Sequence, residues 1–355
     1  MKILITNNSL SELAGSEMFV YELAKQLKKL KHDVSVYIFL EIAKGSTIAT
    51  KLKRLKVKLI NNVDHLTEKY DIIHCHHNNT ANIINYKFPD TPKIFVSHGW
   101  IFPICIPNID IKFNKIIAVS EEVQTNLQNK GFKDIQVINN PLDTERFFWE
   151  KRTRTTINKM CYASNHAGKP CKLPMINACE HYATKKPEFA QIFCLTKCEQ
   201  KPMVQIDTLS KTFKATLINA GAHLFLNDKG AIESKNNQVW DIEKALRECD
   251  LTFGIGRSAL TSMSMGIPTC VYDHFGFAGF VQNKYDFEEF QRTNFSGRIP
   301  HFHSNWFPIL NPVKFAYEYN KNLTFLKKLS GLVHKNYSAE KVAKKYEQVY
   351  RNVIG

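Results

Sequence analysis

The 355-residue chain is longer than a single hydrophobic core ordinarily supports, so two domains are expected. Hydrophobic residues make up 44%, enough for globular cores, and no apolar run reaches the roughly 18–20 residues of a membrane-spanning helix. Lys and Arg number 48 against 33 Asp and Glu, a net charge of +15 that favours phosphates, nucleic acid or an anionic membrane face as partners.

The N-terminus runs directly into a strand pattern over residues 2–6, with no signal-like apolar stretch, so a cytoplasmic protein is expected. Residues 16–31 place Phe19, Val20, Leu23, Ala24, Leu27 and Leu30 at i, i+3, i+4 spacing, an amphipathic helix. Strands follow over 34–40, 56–60, 71–76, 93–97 and 115–120. Strands alternating with helices imply a parallel sheet covered on both faces. Asn140-Pro141 and Glu150-Lys151-Arg152 read as a connection. The second half repeats the pattern, with strands over 159–163, 191–195, 215–219, 250–254 and 269–272. Its helices are expected over 173–182, 241–248 and 258–265, and a Lys-rich helical tail follows Pro312. The expected fold is α/β, two facing Rossmann-like domains with a cleft between them. Residues 1–150 form the first domain and 151–335 the second, with 336–355 a helix crossing back to the first. In open α/β sheets ligands bind at the carboxyl ends of the strands.

The nine cysteines are odd in number and show no disulfide spacing, which fits free thiols in a reducing compartment. His74-Cys75-His76-His77 and Cys194-x-x-x-Cys198 lack a second ligand pair at zinc spacing. On a strand His74 and His76 share a face while Cys75 points away. No metal site is expected.

The most chemical stretch runs from Asp250 to Pro268. A strand enters Gly254-Ile-Gly256, and a helix is expected to begin at Ser258. Glycine allows close backbone approach, a helix start offers N–H groups and a positive dipole end, and Arg257 supplies a fork of donors for phosphate. Ser258 either caps the helix or binds a phosphate oxygen. The pattern is a candidate diphosphate cradle, though neither a Walker loop nor a full G-x-G-x-x-G.

This segment resembles the donor-binding region of family 4 glycosyltransferases, and further stretches match the same family in order. Ala14-Gly15-Ser16-Glu17 resembles its N-terminal Gly-rich loop, Asp71-Ile-Ile-His-Cys-His76 its D-[IV]-[IV]-H-x-H strand, and Val96-Ser-His98-Gly99 its V-H-G strand end. Ala118-Val-Ser120 resembles its A-V-S strand-to-helix step, and Val137 to Phe147 its N-G-V-D-x-x-x-F signature. The resemblance implies a GT-B enzyme moving a sugar from a nucleotide-diphosphate sugar, with a UDP-sugar donor, to a glycan or lipid-linked acceptor in surface-polysaccharide or lipopolysaccharide synthesis. It implies retention of configuration, with the acceptor on the first domain, the donor on the second, and no cofactor. It places His98 against the donor sugar as the catalytic candidate. The donor-binding candidates it supports are Gly15, Ser164, Lys169, Lys172, Gly256, Arg257, Ser258, Thr261, Asp273 and Gly276. Asn294-Phe-Ser-Gly-Arg298 resembles a motif of bacterial surface-polysaccharide transferases.

The chain departs from the family at its paired glutamates, which fall on Phe253 and Thr261, and at the family arginine, which falls on Asn165. The missing acids argue against a nucleotide-sugar epimerase. A non-catalytic GT-B module and a nucleic-acid-modifying glucosyltransferase remain as rival readings, although no recognition helix or basic stripe is evident. A peripheral contact with anionic membrane is expected through Lys25, Lys28, Lys29, Lys31, Lys51, Lys53, Arg54, Lys56 and Lys58, with Ile48, Leu52 and Leu55 dipping into the interface.

Overall fold

A computed structural model describes residues 1–11, 13–40, 42–151, 159–164, 191–196, 216–218, 221–226, 232–237, 242–273, 276–298 and 322–355. These fall into two compact units, Met1–Asp143 with Asn336–Gly355, and Thr144–Lys335.

Unit one is a parallel sheet of Lys2–Asn7 (β1), Asp33–Ile38 (β2), Lys58–Ile60 (β3), Ile72–Cys75 (β4), Lys93–Ser97 (β5), Lys115–Ala118 (β6) and Ile135–Val137 (β7). The strand order is β3-β2-β1-β4-β5-β6-β7, so the winding direction reverses between β1 and β4. There Ile5 pairs with His74 and Thr6 with Cys75. Residues 3–7 of β1 are all buried, as continuous apolar strands covered on both faces require. The helices are Gly15–Lys29 (α1), Thr47–Arg54 (α2), Asn78–Lys87 (α3) and Glu121–Asn129 (α4). Two of their starts are legible in single serines. Ser46 accepts from the Ala49 N–H and Ser120 from the Val123 N–H, each satisfying an amide of the first turn.

Unit two has a sheet of Lys159–Ser164 (β8), Gln191–Thr196 (β9), Thr216–Ile218 (β10), Leu251–Gly254 (β13), Thr269–Asp273 (β14) and Gly276–Phe280 (β15), ordered β10-β9-β8-β13-β14-β15. The order reverses between β8 and β13. β15 is antiparallel to β14, and a separate antiparallel pair joins Gly221–Leu226 (β11) to Ile232–Asn237 (β12). Neither β15 nor the β11–β12 pair was legible as strand. Gly276 and Gly279 in Gly-Phe-Ala-Gly read as a loop, yet the segment pairs antiparallel with β14, with a register shift between Val271 and Tyr272. The described helices of this unit are Ile242–Arg247 (α5), Gly256–Ser264 (α6), Lys284–Arg292 (α7) and Leu323–Tyr337 (α8). The helix expected over 173–182 lies outside the described residues.

The last helix, Ala339–Ile354 (α9), belongs to unit one. Leu142 and Tyr337–Ala339 exchange backbone hydrogen bonds of 2.7 and 2.8 Å at its start. Its buried stripe Val342, Ala343, Tyr346, Val349 and Tyr350 repeats at i, i+1, i+4, i+7, i+8 and packs on α1. Each fully buried large side chain contributes about 1.5–3 kcal/mol. His32 on the turn after α1 meets Glu347 at 3.2 Å.

The expected membrane anchor needs correction. Ile48 and Leu52 are 1% and 0% exposed, because α2 turns this stripe inward onto α1. Lys25 is also engaged, pairing with Asp143 at 2.7 Å. Lys29, Lys31, Lys53, Arg54, Lys56 and Lys58 are exposed. No described helix is long and apolar enough to cross a membrane.

Candidate functional site

Both sheets place the candidate residues at their reversal points, where two neighbouring strands send their connections to opposite faces and leave the carboxyl ends uncovered. In unit one the ends of β1 and β4 and the adjoining end of β5 deliver Asn7, Asn8, His76, His77 and His98. Gly15, the first residue of α1, is exposed, and α1 has no side-chain cap, so its first-turn amides face outward from the helix end.

Four histidines gather here. His76 Nδ1 and His98 Nε2 are 2.5 Å apart, with ring planes 17° from parallel. His74 stacks on His76 with centroids 4.6 Å apart, and its Nδ1 meets the Tyr350 hydroxyl at 2.5 Å. The Asn8 N–H donates to His77 Nδ1 at 3.2 Å, which leaves the neutral His77 ring its proton on Nε2. Phe19 presents itself edge-on to His74, His76 and His98 at 4.8–6.0 Å. Cys75 faces the other side, in a core with Leu4, Ile73 and Phe95, as strand alternation requires.

Burial governs the electrostatics. It pushes His74 down to about 3. His77 falls to about 4 for the same reason. His98 falls to about 3 through burial first and the neighbouring His77 second, with the Asn140 side-chain hydrogen bond opposing. His76 is lowered by burial and then by His74, His98 and His77. The four rings are therefore neutral near pH 7 and cannot serve as cations for a diphosphate. His98 is held inside unit one, its Nε2 against His76 and its ring bonded by the Asn140 side chain. Among the described residues no three of His, Cys, Asp and Glu are placed to hold a metal.

In unit two Ser164 ends β8, and Gly254-Ile-Gly256 ends β13 beside it. The helix starts earlier than the sequence suggested. α6 begins at Gly256 with Ile255 as its cap residue, so Ser258 is the third helical residue and does not cap. Gly256 has φ +50°, the left-handed region, which explains glycine there. Its N–H is taken by the Phe295 carbonyl at 2.7 Å. Arg257 follows in the first turn and is partly exposed. Thr261 is 5% exposed and its hydroxyl donates to the Arg257 carbonyl at 2.9 Å, an intrahelical bond that leaves only acceptor capacity. Asp273 and Gly276 pair across the β14–β15 hairpin. Lys169 and Lys172 lie outside the described residues. Sequence reasoning gave His76, His77 and Asn8 no role in the site, although His76 closes the H-x-H strand of the family resemblance and His77 follows it.

Residues 13–146 match the model of Glycosyltransferase Family 4. No curated protein matches the chain by sequence. Among solved structures, a glycosyltransferase from Rickettsia africae is similar at TM-score 0.65 and 14% identity, covering 99% of this chain and 98% of that one. A variant of S. aureus TarM in complex with fondaparinux, alpha-GlcNAc-glycerol and UDP is similar at TM-score 0.64 and 10% identity, covering 99% and 100%. An alpha-glucosyltransferase in complex with UDP and a 13-mer DNA containing a HMU base is similar at TM-score 0.60 and 10% identity, covering 99% of each chain. The fold is thus that of the GT-B glycosyltransferases, and residues 13–146 match the family 4 glycosyltransferase model.

Proposed function

We propose that the protein transfers a sugar from a nucleotide-diphosphate sugar, a UDP-sugar in the first instance, to a glycan or lipid-linked acceptor. The observation that carries this reading is the pairing of a family 4 match over residues 13–146 with a Gly256-Arg257 turn at the reversal point of the second sheet. Transfer leaves a negative charge on the departing diphosphate, and fixed donors placed where that charge develops lower the barrier. Arg257 provides such donors on unit two, at the positive dipole end of α6. Unit one offers the complementary chemistry, with neutral rings and amides suited to hydroxyls. In this reading no metal is needed, configuration at the anomeric carbon is retained, and the product enters surface-polysaccharide or lipopolysaccharide synthesis. The similarity to S. aureus TarM, seen with UDP and a GlcNAc-glycerol compound, supports a UDP-sugar and a glycan acceptor.

A second reading, transfer to nucleic acid, draws on the DNA-bound neighbour and on the +15 charge. A non-catalytic GT-B module is the third. Membrane contact, in this proposal, is electrostatic alone, made by the exposed Lys29, Lys31, Lys53, Arg54, Lys56 and Lys58. Incubation with UDP-, GDP- and dTDP-sugars, measuring nucleotide release with and without glycan, lipid-linked and DNA acceptors, tests all three. Release with no donor in the panel sinks the enzymatic reading. Stimulation by DNA alone replaces the acceptor class.

A further inference from the structure

His76 lies in the H-x-H run of β4's end, fully buried, with no role in the reading above. Its Nδ1 is 2.5 Å from His98 Nε2, and the two rings are nearly coplanar. Two neutral imidazoles joined by one hydrogen bond must hold opposite roles at that contact, one donating and one accepting. Whichever nitrogen carries the proton at this contact, the tautomer of His98 and that of His76 are tied to each other. Asn140 also bonds the His98 ring through its side chain. His76 Nε2 is a buried nitrogen without a hydrogen-bond partner among the described residues. Such an orphan is unfavourable, and a phenyl ring of similar shape would avoid it. The imidazole is explained by what its other nitrogen does.

We infer that His76 is a positioning residue, fixing one tautomer and one orientation of the His98 ring and with them the His98–Gly99 turn at the end of β5. Rings pack against the pair. Phe19 on α1 stands edge-on to both imidazoles, and His74 stacks on His76. Tyr346 on α9 packs in turn against Phe19 and His74, so the C-terminal helix braces the rings that hold the pair. The inference rests on the proposal that His98 faces the donor sugar, and the test separates the two.

Imidazole ¹⁵N spectra of the full-length protein at pH 7.5 should show a single tautomer pair, with one of His76 Nδ1 and His98 Nε2 protonated and the other bare. A tautomer mixture at His98 overturns the inference without any variant. In His76→Phe the ring stays and the hydrogen-bond partner of His98 goes. Transfer should then lose about 10–100-fold in kcat with donor KM little changed, the scale of a small misplacement in the site. The His98 spectrum should become a tautomer mixture. His76→Asn sets an amide, able to donate or accept, near the Nδ1 position and should restore both rate and tautomer. A His76→Phe protein that loses only thermal stability, with the His98 spectrum and kcat intact, shows a structural role and defeats the inference. Should His76→Phe fail to fold, a folded but inactive His76→Asn with native His98 tautomer defeats it equally. His98→Ala that retains full transfer defeats the underlying reading instead.

Discussion

The two sheet edges solve opposite problems with opposite materials. Unit one lines its reversal point with side chains: the buried His74, His76 and His77, and the half-buried His98, Asn8 and Asn140, with burial keeping the imidazoles neutral. Unit two uses the main chain: a left-handed Gly256, a helix start and Arg257. A neutral, ring-walled surface suits sugar hydroxyls, whereas a diphosphate needs full charge and oriented amides. The difference teaches that the +15 of the sequence is no guide to the charge of either edge, since the first of them holds only neutral rings.

The largest test of this contrast is acid. His74, His77 and His98 sit at about 3, 4 and 3 when folded, against an ordinary value near 6.5. Below pH 6.5 the unfolded chain takes up protons that the folded chain refuses, so stability is full above 6.5 and falls as pH drops toward 3. Each ring held near 3 costs about 2 kcal/mol at pH 5. Urea denaturation at pH 7.5 and pH 5 should show this loss, smaller in His74→Phe. Equal stability at both pH values breaks the description of unit one.

Next in size is a backbone test of unit two. Gly266 has φ +72°, and a Cβ there would lie 2.4 Å from Trp149 Cδ1. Gly266→Ala should lose about 2–5 kcal/mol, adding left-handed strain to overpacking. A thermal melt within 2 °C of the native protein's, taken as about 1 kcal/mol or less, refutes it.

Arg257→Ala should weaken nucleoside diphosphate binding by about 1.5–3 kcal/mol and nucleoside binding far less. Calorimetric titrations showing equal losses remove Arg257 from the phosphate.

Gly256→Ala should cost only about 1–2 kcal/mol of stability, because its Cβ meets Asn294 O at an ordinary 3.6 Å and strain alone remains. A loss as large as that of Gly266→Ala means the turn is tighter than its geometry.

The smallest expected effect is none. Excess EDTA should leave transfer unchanged, because Arg257 and amides meet the charge in this proposal. Activity lost in EDTA and restored by Mn²⁺ reverses the comparison and puts a metal on the diphosphate.

Periodicity alone determined the α/β class, the first six strands of unit one (though not β7) and the helix carrying Phe19, Leu23 and Leu27. Buried parallel strands and a one-sided helix leave strong local signatures in which residues repeat. Ser120 announced α4 because a cap is a local event. The order of the strands, however, is a long-range choice. Only the tertiary structure decided that β1 lies beside β4 and β8 beside β13, which is what creates the two edges. It moved the start of α6 from Ser258 to Gly256, since the Phe295 carbonyl, 39 residues away, occupies the Gly256 N–H. It turned Ile48 and Leu52 from a membrane-facing stripe into core, because an amphipathic helix does not say which solvent its apolar face meets. It also joined His76, His98 and Asn140, and set Tyr350 against His74 across 276 residues. A histidine in a sequence is a titratable ring. Which nitrogen carries its proton, and whether it can be charged at all, depends on neighbours that only the folded chain supplies.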